Sequence, residues 1–364
     1  MEDTIHIDAG THEVVVSHNL ASALKGVFIQ EAFPSGPFPV LVDENTHRHC
    51  YNRLFELQGV SYHPLVVAAG ESSKKLATVE RVAQMMLDHK ASRQTILVNL
   101  GGGVVTDLGG MVASMYMRGV RYINVPTSLL AMTDAAIGGK TGVDLHGYKN
   151  LLGAFYPPVQ TIINTGFLET LPQKDWSEGL VETWKHALIG DTSLWQQIVN
   201  EPQLFAFDER SSHKNLSWIT KSISVKAHIV KQDPLEKGLR KHLNFGHTVA
   251  HALEAWSFKH GDNSITHGQA VAIGLVCESF VSQKVLGLDV RVVEDLKMLF
   301  KSHFHLSKIN PESFTFLLAA MRKDKKSDGH DLSCVLLEQI GSPRFCNNLP
   351  DDLFLESFIY FNDF

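Results

Sequence analysis

The sequence predicts an α/β N-terminal nucleotide-binding domain followed by a mostly α-helical C-terminal domain. Three observations predict it. Short β-type runs alternate with helical patterns through the first half of the chain. A glycine-rich turn follows directly on a buried strand. From about Leu171 onward the β-type runs thin out and helical spacing takes over. Strands alternating with helices imply a parallel sheet of the kind that binds nucleotides. The boundary falls near residues 165–175, giving domains of 1–170 and 171–364.

Thr4–Asp8 and Val14–Ser17 read as a paired edge. Val40-Leu41-Val42 forms a strand ending at Asp43, and Leu65-Val66-Val67 forms another. Leu76, Val79, Ala83 and Met86 recur at helical spacing, and Ile96-Leu97-Val98-Asn99-Leu100 reads as a buried strand. In the second half, Trp176–Ile189, Asn215–Val230, Thr248–Trp256 and Gln269–Val285 carry helical patterns with polar insertions. There are no internal repeats and no low-complexity linker.

Composition excludes several classes. At 364 residues and 44% hydrophobic, the chain is long enough to bury two cores. A net charge of −6 gives no long-range attraction for nucleic acid or an anionic membrane. The acidic start, Met1-Glu2-Asp3-Thr4, is wrong for a signal peptide. No apolar run approaches the roughly 20 residues that span a bilayer. Cys50, Cys277, Cys334 and Cys346 are scattered with no CxxC pair, as buried thiols of a reducing compartment would be. The expectation is a soluble cytoplasmic protein with no nucleic-acid or membrane partner.

Gly101-Gly102-Gly103 lets backbone approach a diphosphate at a helix N-terminus, with Thr106-Asp107 expected as the helix N-cap. A tight turn that binds nothing would carry the same glycines. Gly139-Lys140-Thr141 resembles the end of a P-loop, but Asp134 stands where that pattern needs glycine. Lys140 and Lys149, with Asn150, place two cations close together on a loop rich in Gly and Asp, where lysines also serve solubility alone.

His247 and His251 are i,i+4 and share a face if helical. His267 lies sixteen residues beyond His251, at the start of another apolar helix, and Glu182 is a carboxylate on a helix dense in apolar residues. One carboxylate and two imidazoles suit catalytic zinc. Thr248 after His247 excludes an HExxH protease. With 19 histidines in the chain, an HxxxH also arises by chance, and the surroundings must decide.

The surroundings resemble a known family. Gly101–Asp107, Tyr116-Met-Arg118-Gly-Val, Val125–Ala131, Asp134–Thr141, Lys149-Asn150, Leu243–His251, His267-Gly268 and Asp324-Lys325-Lys326 with Val335-Leu336-Leu337 are similar, in that order, to the sugar phosphate cyclases, and most closely to the 3-dehydroquinate synthase family. The similarity runs to about Gly341.

The resemblance implies zinc, with cobalt a substitute, on Glu182, His247 and His267. It implies NAD on Asp43, Asn45, Glu71, Lys74, Gly101, Gly102, Gly103, Val104, Asp107, Thr127, Ser128, Leu130, Asp134, Lys140, Lys149, Phe167 and Thr170. Substrate falls on Lys140, Asn150, Lys185, Lys226, Arg240, Asn244, His251 and Lys325 or Lys326. It further implies a homodimer in which Arg118 reaches the neighbouring site. The substrate would be a sugar phosphate, 3-deoxy-D-arabino-heptulosonate 7-phosphate, closed to a carbocycle with loss of phosphate. The alternatives are a sister cyclase acting on a sedoheptulose or glucose phosphate, or an NAD-dependent zinc polyol dehydrogenase. Ala250 and Gln269 depart from the family's common glycine and glutamate, and the stretch between His251 and His267 is longer than in some members.

Overall fold

Continuous apolar runs form the centre of the first unit because a parallel sheet is covered on both faces. The computed structural model describes residues 4–30, 38–56, 61–145, 148–212, 214–261, 265–304, 307–324 and 332–363. Packing divides the chain into two compact units, one reaching Trp176 and taking back Arg210–Leu235, the other holding Ser177–Glu209 and the chain from Glu236.

The first unit opens with β1 (Ile5–Asp8) and β2 (Glu13–Val16), the antiparallel edge that the sequence predicts. Then come α1 (Leu20–Gln30), β3 (Phe38–Asp43), α2 (Glu44–His49), β4 (Tyr62–Val67), α3 (Leu76–Asp88), β5 (Ile96–Gly101), α4 (Gly103–Met115) and β6 (Arg121–Pro126). A hairpin of β7 (Lys140–Leu145) and β8 (Tyr148–Phe155) follows, and β9 (Gln160–Ile163) closes the sheet. Its order is β1-β2-β9-β6-β5-β3-β4, parallel from β2 to β4. The chain steps outward from β3 to β4 and then returns to β5 on the other side of β3. Such a switch point opens a crevice at the carboxyl ends of the strands, where α/β sheets take ligands.

Glycine sets how closely α4 lies on this sheet and on the β7–β8 hairpin. A Cβ at Gly109 would stand 1.9 Å from Asn99 Oδ1 of β5, and one at Gly110 2.3 Å from Thr141 Cγ2 of β7. Both side-chain positions must be empty for the helix to seat.

Helix α5 (Gln173–Gly190) begins in the first unit and continues into the second. The second unit adds α6 (Thr192–Asn200), after which α7 (Asn215–Gln232) belongs to the first. Then come α8 (His247–Lys259), α9 (His267–Leu286), α10 (Val290–His303), α11 (Phe314–Asp324), the hairpin of β10 (Leu332–Gln339) and β11 (Ser342–Leu349), and α12 (Asp351–Asn362). Helix α9 is buried along nearly its whole length, from Gly268 to Ser282, which makes it the spine of this unit. Among the described residues no helix is long and apolar enough to cross a membrane.

Two expectations are corrected. Lys140 and Lys149 lie in the β7–β8 hairpin rather than a loop, and the pairing puts them near opposite ends. Thr106-Asp107 is not the helix cap, because α4 starts at Gly103 with Gly102 at the N-cap. Thr106 lies inside the helix, its hydroxyl donating to Gly103 O at 3.1 Å.

Candidate active site

In the second unit three helices bring Glu182, His247 and His267 together, their ligand atoms all within 4.8 Å of one another. Two backbone approaches make this convergence. Gly246, the N-cap of α8, has φ +82°, a left-handed conformation that glycine adopts without steric cost. A Cβ on Gly274 of α9 would sit 1.8 Å from Gly246 O, so α8 and α9 touch backbone to backbone there. At the start of α9, a Cβ on Gly268 would lie 2.7 Å from Glu178 Cα, one turn before Glu182 on α5. Gln269 forms a capping box with Thr266, its Oε1 accepting from Thr266 N–H at 3.0 Å. Glutamine satisfies that role as glutamate does.

Glu182 Oε1 is 3.6 Å from His247 Nε2 and 3.5 Å from His267 Nε2. Ligand atoms about 2.1 Å from a tetrahedral zinc stand about 3.4 Å apart, so the spacing and the donor set both fit the ion. Each ring is also anchored through its other nitrogen, His247 Nδ1 at 3.2 Å from Phe245 O and His267 Nδ1 at 3.1 Å from Glu254 Oε1. Such anchoring aims Nε2 at a metal.

The electrostatics of the two rings differ. Burial, reinforced by Lys185, pushes the His247 imidazole down to about 3, so it is neutral and ready to ligate. Burial also opposes charge on His267, but Glu182 and Glu254 outweigh it and lift that imidazole to about 10. A proton on His267 thus supplies positive charge to this acidic pair when no ion does. Lys185, buried one turn along α5, pairs with Glu182. The His251 ring centroid is 5.6 Å from that of His247.

In the first unit, the residues expected to hold a dinucleotide follow the carboxyl ends of parallel strands. Asp43 ends β3 and caps α2, accepting from Thr46 N–H at 2.7 Å, with Asn45 exposed beside it. After β4, buried Lys74 lies 2.7 Å from Asp107 of α4 and 3.9 Å from Glu71. Burial works against the Lys74 charge, yet Asp107 and Glu71 hold its pKa above the ordinary range. Gly101, Gly102 and Gly103 join β5 to α4, where the cap has no side chain to satisfy the first-turn N–H groups. Anions bind at such ends. A Cβ on Gly102 would be 3.2 Å from Ser128 Oγ, and one on Gly103 3.8 Å from Leu130 Cδ2, so these residues line the turn. Val104 is half-buried in the first turn of α4, and Thr127 is buried after β6. Beyond β9, Phe167 is buried under the Arg53 guanidinium at 5.5 Å, and Thr170 is exposed.

The residues expected to touch substrate are divided between the units. Lys226 of α7 is buried and pairs with Asp134, donating also to Asp134 O at 2.5 Å. Lys140, Lys149 and Asn150 are exposed on the hairpin, with Asn150 at φ +53° and its N–H on Asp144 Oδ1 at 2.8 Å. Arg118 is exposed at a corner where Met117, Arg118 and Gly119 all have positive φ, at 49°, 68° and 119°. In the second unit, Arg240 is buried and Asn244 Nδ2 donates to Glu236 Oε1 at 3.3 Å, both just before His247. Lys325 and Lys326 lie outside the described residues.

Sequence reasoning missed Glu254 and Glu278. Glu254 is seven residues after His247, on the same face of α8, a spacing that could have been read. Glu278 is a fully buried carboxylate inside the apolar run of α9, and an acid in such a run is itself a signal.

An α/β unit with a nucleotide-type switch point, followed by a helical unit with a Glu-His-His centre, defines a metal-dependent enzyme of the dehydroquinate synthase-like fold. A family model for the 3-dehydroquinate synthase N-terminal region matches residues 64–178, and one for the C-terminal region matches residues 179–327. The chain belongs to the 3-dehydroquinate synthase family. It is 35% identical over 325 residues to a 3-dehydroquinate synthase from Parabacteroides distasonis, covering 89% of this chain and 91% of that one. Its fold is similar to a 2-epi-5-epi-valiolone synthase from Streptomyces hygroscopicus subsp. jinggangensis solved with NAD+ and Zn2+, with TM-score 0.87, 26% identity and 97% of each chain covered. It also resembles, in fold, a 2-deoxy-scyllo-inosose synthase complexed with carbaglucose-6-phosphate, NAD+ and Co2+, with TM-score 0.79, 24% identity, and 98% and 99% coverage.

Proposed function

We propose that the protein is a 3-dehydroquinate synthase, a phosphate-eliminating carbon–oxygen lyase. It converts 3-deoxy-D-arabino-heptulosonate 7-phosphate to 3-dehydroquinate and phosphate, within aromatic amino acid biosynthesis. The observation that carries this reading is the Glu182–His247–His267 cluster in a chain of this family. Residues 1–170 act as the NAD-binding domain and 171–364 as the zinc and substrate domain. The protein is a cytoplasmic homodimer in this reading.

When bound, zinc on Glu182, His247 and His267 supplies a Lewis acid and NAD supplies a hydride acceptor that is restored in each turnover. The chain's own residues do the rest. Lys140, Asn150 and Arg118 of the neighbouring subunit bind the phosphate dianion, with Lys185 adding charge. Arg240 grips the carboxylate with its planar fork, assisted by Lys226, Asn244 and Lys325. His251, one turn from His247, takes the hydroxyl proton. The leaving phosphate can accept the proton lost from the adjacent carbon, so no further base is required.

Phosphate release from the heptulosonate phosphate, with NAD far below the substrate concentration, tests the proposal. Many turnovers per NAD with no accumulation of NADH are expected. NADH formed one-to-one with product would point to a polyol dehydrogenase instead.

A further inference from the structure

Glu278 is wholly buried on α9, and its carboxylate reaches the amino end of α8. Gly246 N–H donates to Glu278 Oε2 at 2.7 Å and Val249 N–H to Oε1 at 3.1 Å. The first turn of a helix leaves N–H groups with no partner in their own helix. Here the N-cap is a glycine, which has no side chain to serve them. The cap therefore comes from another helix, and negative charge at this end is favoured by the helix dipole.

Between these two tied amides lie His247 and Thr248. Holding the N–H of Gly246 and of Val249 fixes the backbone on both sides of His247, and the His247 ring is itself anchored on Phe245 O. The same helix α9 presents His267 eleven residues before Glu278, about 16 Å along its axis. One rigid, buried rod thus sets both histidines, carrying the first and clamping the segment that carries the second. Satisfying two N–H groups also answers the cost of burying a carboxylate in an otherwise apolar helix.

We propose that Glu278 is a positioning residue for the metal centre, holding His247 in ligating geometry before the ion arrives. The proposal rests on the reading of Glu182, His247 and His267 as metal ligands. The test compares wild type with Glu278→Gln, which keeps the shape but turns one acceptor into a donor facing an N–H. Zinc affinity is measured by chelator competition, and ligand geometry by the visible d–d spectrum of the cobalt-loaded protein. The expected result is roughly ten-fold weaker zinc binding, with an altered cobalt spectrum. A variant with a lower melting temperature but unchanged affinity and spectrum would show a purely structural role and overturn the proposal.

Hydrogen exchange of the metal-free wild type tests the same point without a variant that must fold. Slow exchange at Gly246 and Val249 before metal is added supports pre-positioning, and protection that appears only with metal overturns it. Wild type that binds no zinc overturns the ligand assignment itself, a result distinct from both.

Discussion

His267 Nδ1 lies 3.1 Å from Glu254 Oε1, while Nε2 of the same ring lies 3.5 Å from Glu182 Oε1. One imidazole is thus held between two carboxylates, Glu254 at one ring nitrogen and, at the other, Glu182, which in the proposed reading shares its ion. Glu254→Gln should weaken zinc binding about ten- to a hundred-fold, and His267→Ala should abolish stoichiometric binding. Elemental analysis after gel filtration is the check. Full zinc content in His267→Ala would remove His267 from the ligand set.

Metal binding should release a proton from His267. The metal-free ring, raised to about 10, is protonated at pH 8, whereas His247 at about 3 is already neutral. The apparent affinity should therefore rise with pH until about 10. The stability of the metal-free form has the sign of a raised group. The gain from His267 is complete below its ordinary value of 6.5 and is lost as pH climbs toward 10. Titration calorimetry in buffers of different ionisation heat measures the release, which Glu254→Gln should diminish. Heats that do not depend on buffer at pH 8 would sink this assignment.

Gly268→Ala should separate α9 from α5. The new methyl would meet backbone, 2.7 Å from Glu178 Cα, which cannot swing aside as a side chain could. A loss of about 1–3 kcal/mol in stability is expected, together with reduced zinc occupancy. Gly26→Ala, inside α1 with nothing within 4 Å, is the control and should leave zinc occupancy unchanged while raising stability by about 0.5–1 kcal/mol. A fully loaded Gly268→Ala protein would contradict the packing account.

Arg240 should decide between carboxylated and uncarboxylated sugar phosphates. A charge-assisted bond contributes about 1.5–3 kcal/mol, so Arg240→Ala should lower kcat/KM roughly ten- to a hundred-fold on the heptulosonate phosphate. Arg240→Lys should recover only part, since a point charge does not reproduce the fork. Wild type that cyclises sedoheptulose 7-phosphate equally well would transfer the protein to a sister cyclase activity.

Arg118 should act across a dimer. It is exposed at a corner where Met117, Arg118 and Gly119 all have positive φ. Arg118→Ala chains mixed with Lys185→Ala chains should regain part of the activity lost by each. Verified subunit exchange without any rescue would count against a shared site.

The main sheet was legible because Val40–Val42 is apolar throughout and Ile96–Leu100 is apolar but for Asn99, and a strand covered on both faces needs such a pattern. The β7–β8 hairpin was not, since Gly142, Asp144, Asn150 and Gly153 read as loop residues. There the ladder itself explains the composition, because a Cβ on Gly153 would be 2.4 Å from Thr141 O. Candidate ligands could be picked by residue type and spacing. Their convergence could not, since it depends on Gly246, Gly268 and Gly274, whose role is visible only once the helices they bring together are in place.

The course of the chain limits how the molecule can be dissected. The first unit is discontinuous, since it takes α7 from residues that follow part of the second. Lys226 and Lys231, both on α7, pair with Asp134 and Asp8. A fragment ending near residue 170 would keep these aspartates and lose both lysines. Its sheet could still assemble, but Asp134 would be left without its buried ammonium partner. Gene truncation at that point should yield an aggregation-prone nucleotide-binding fragment, whereas a circular permutant opened at an exposed loop could keep every pair intact.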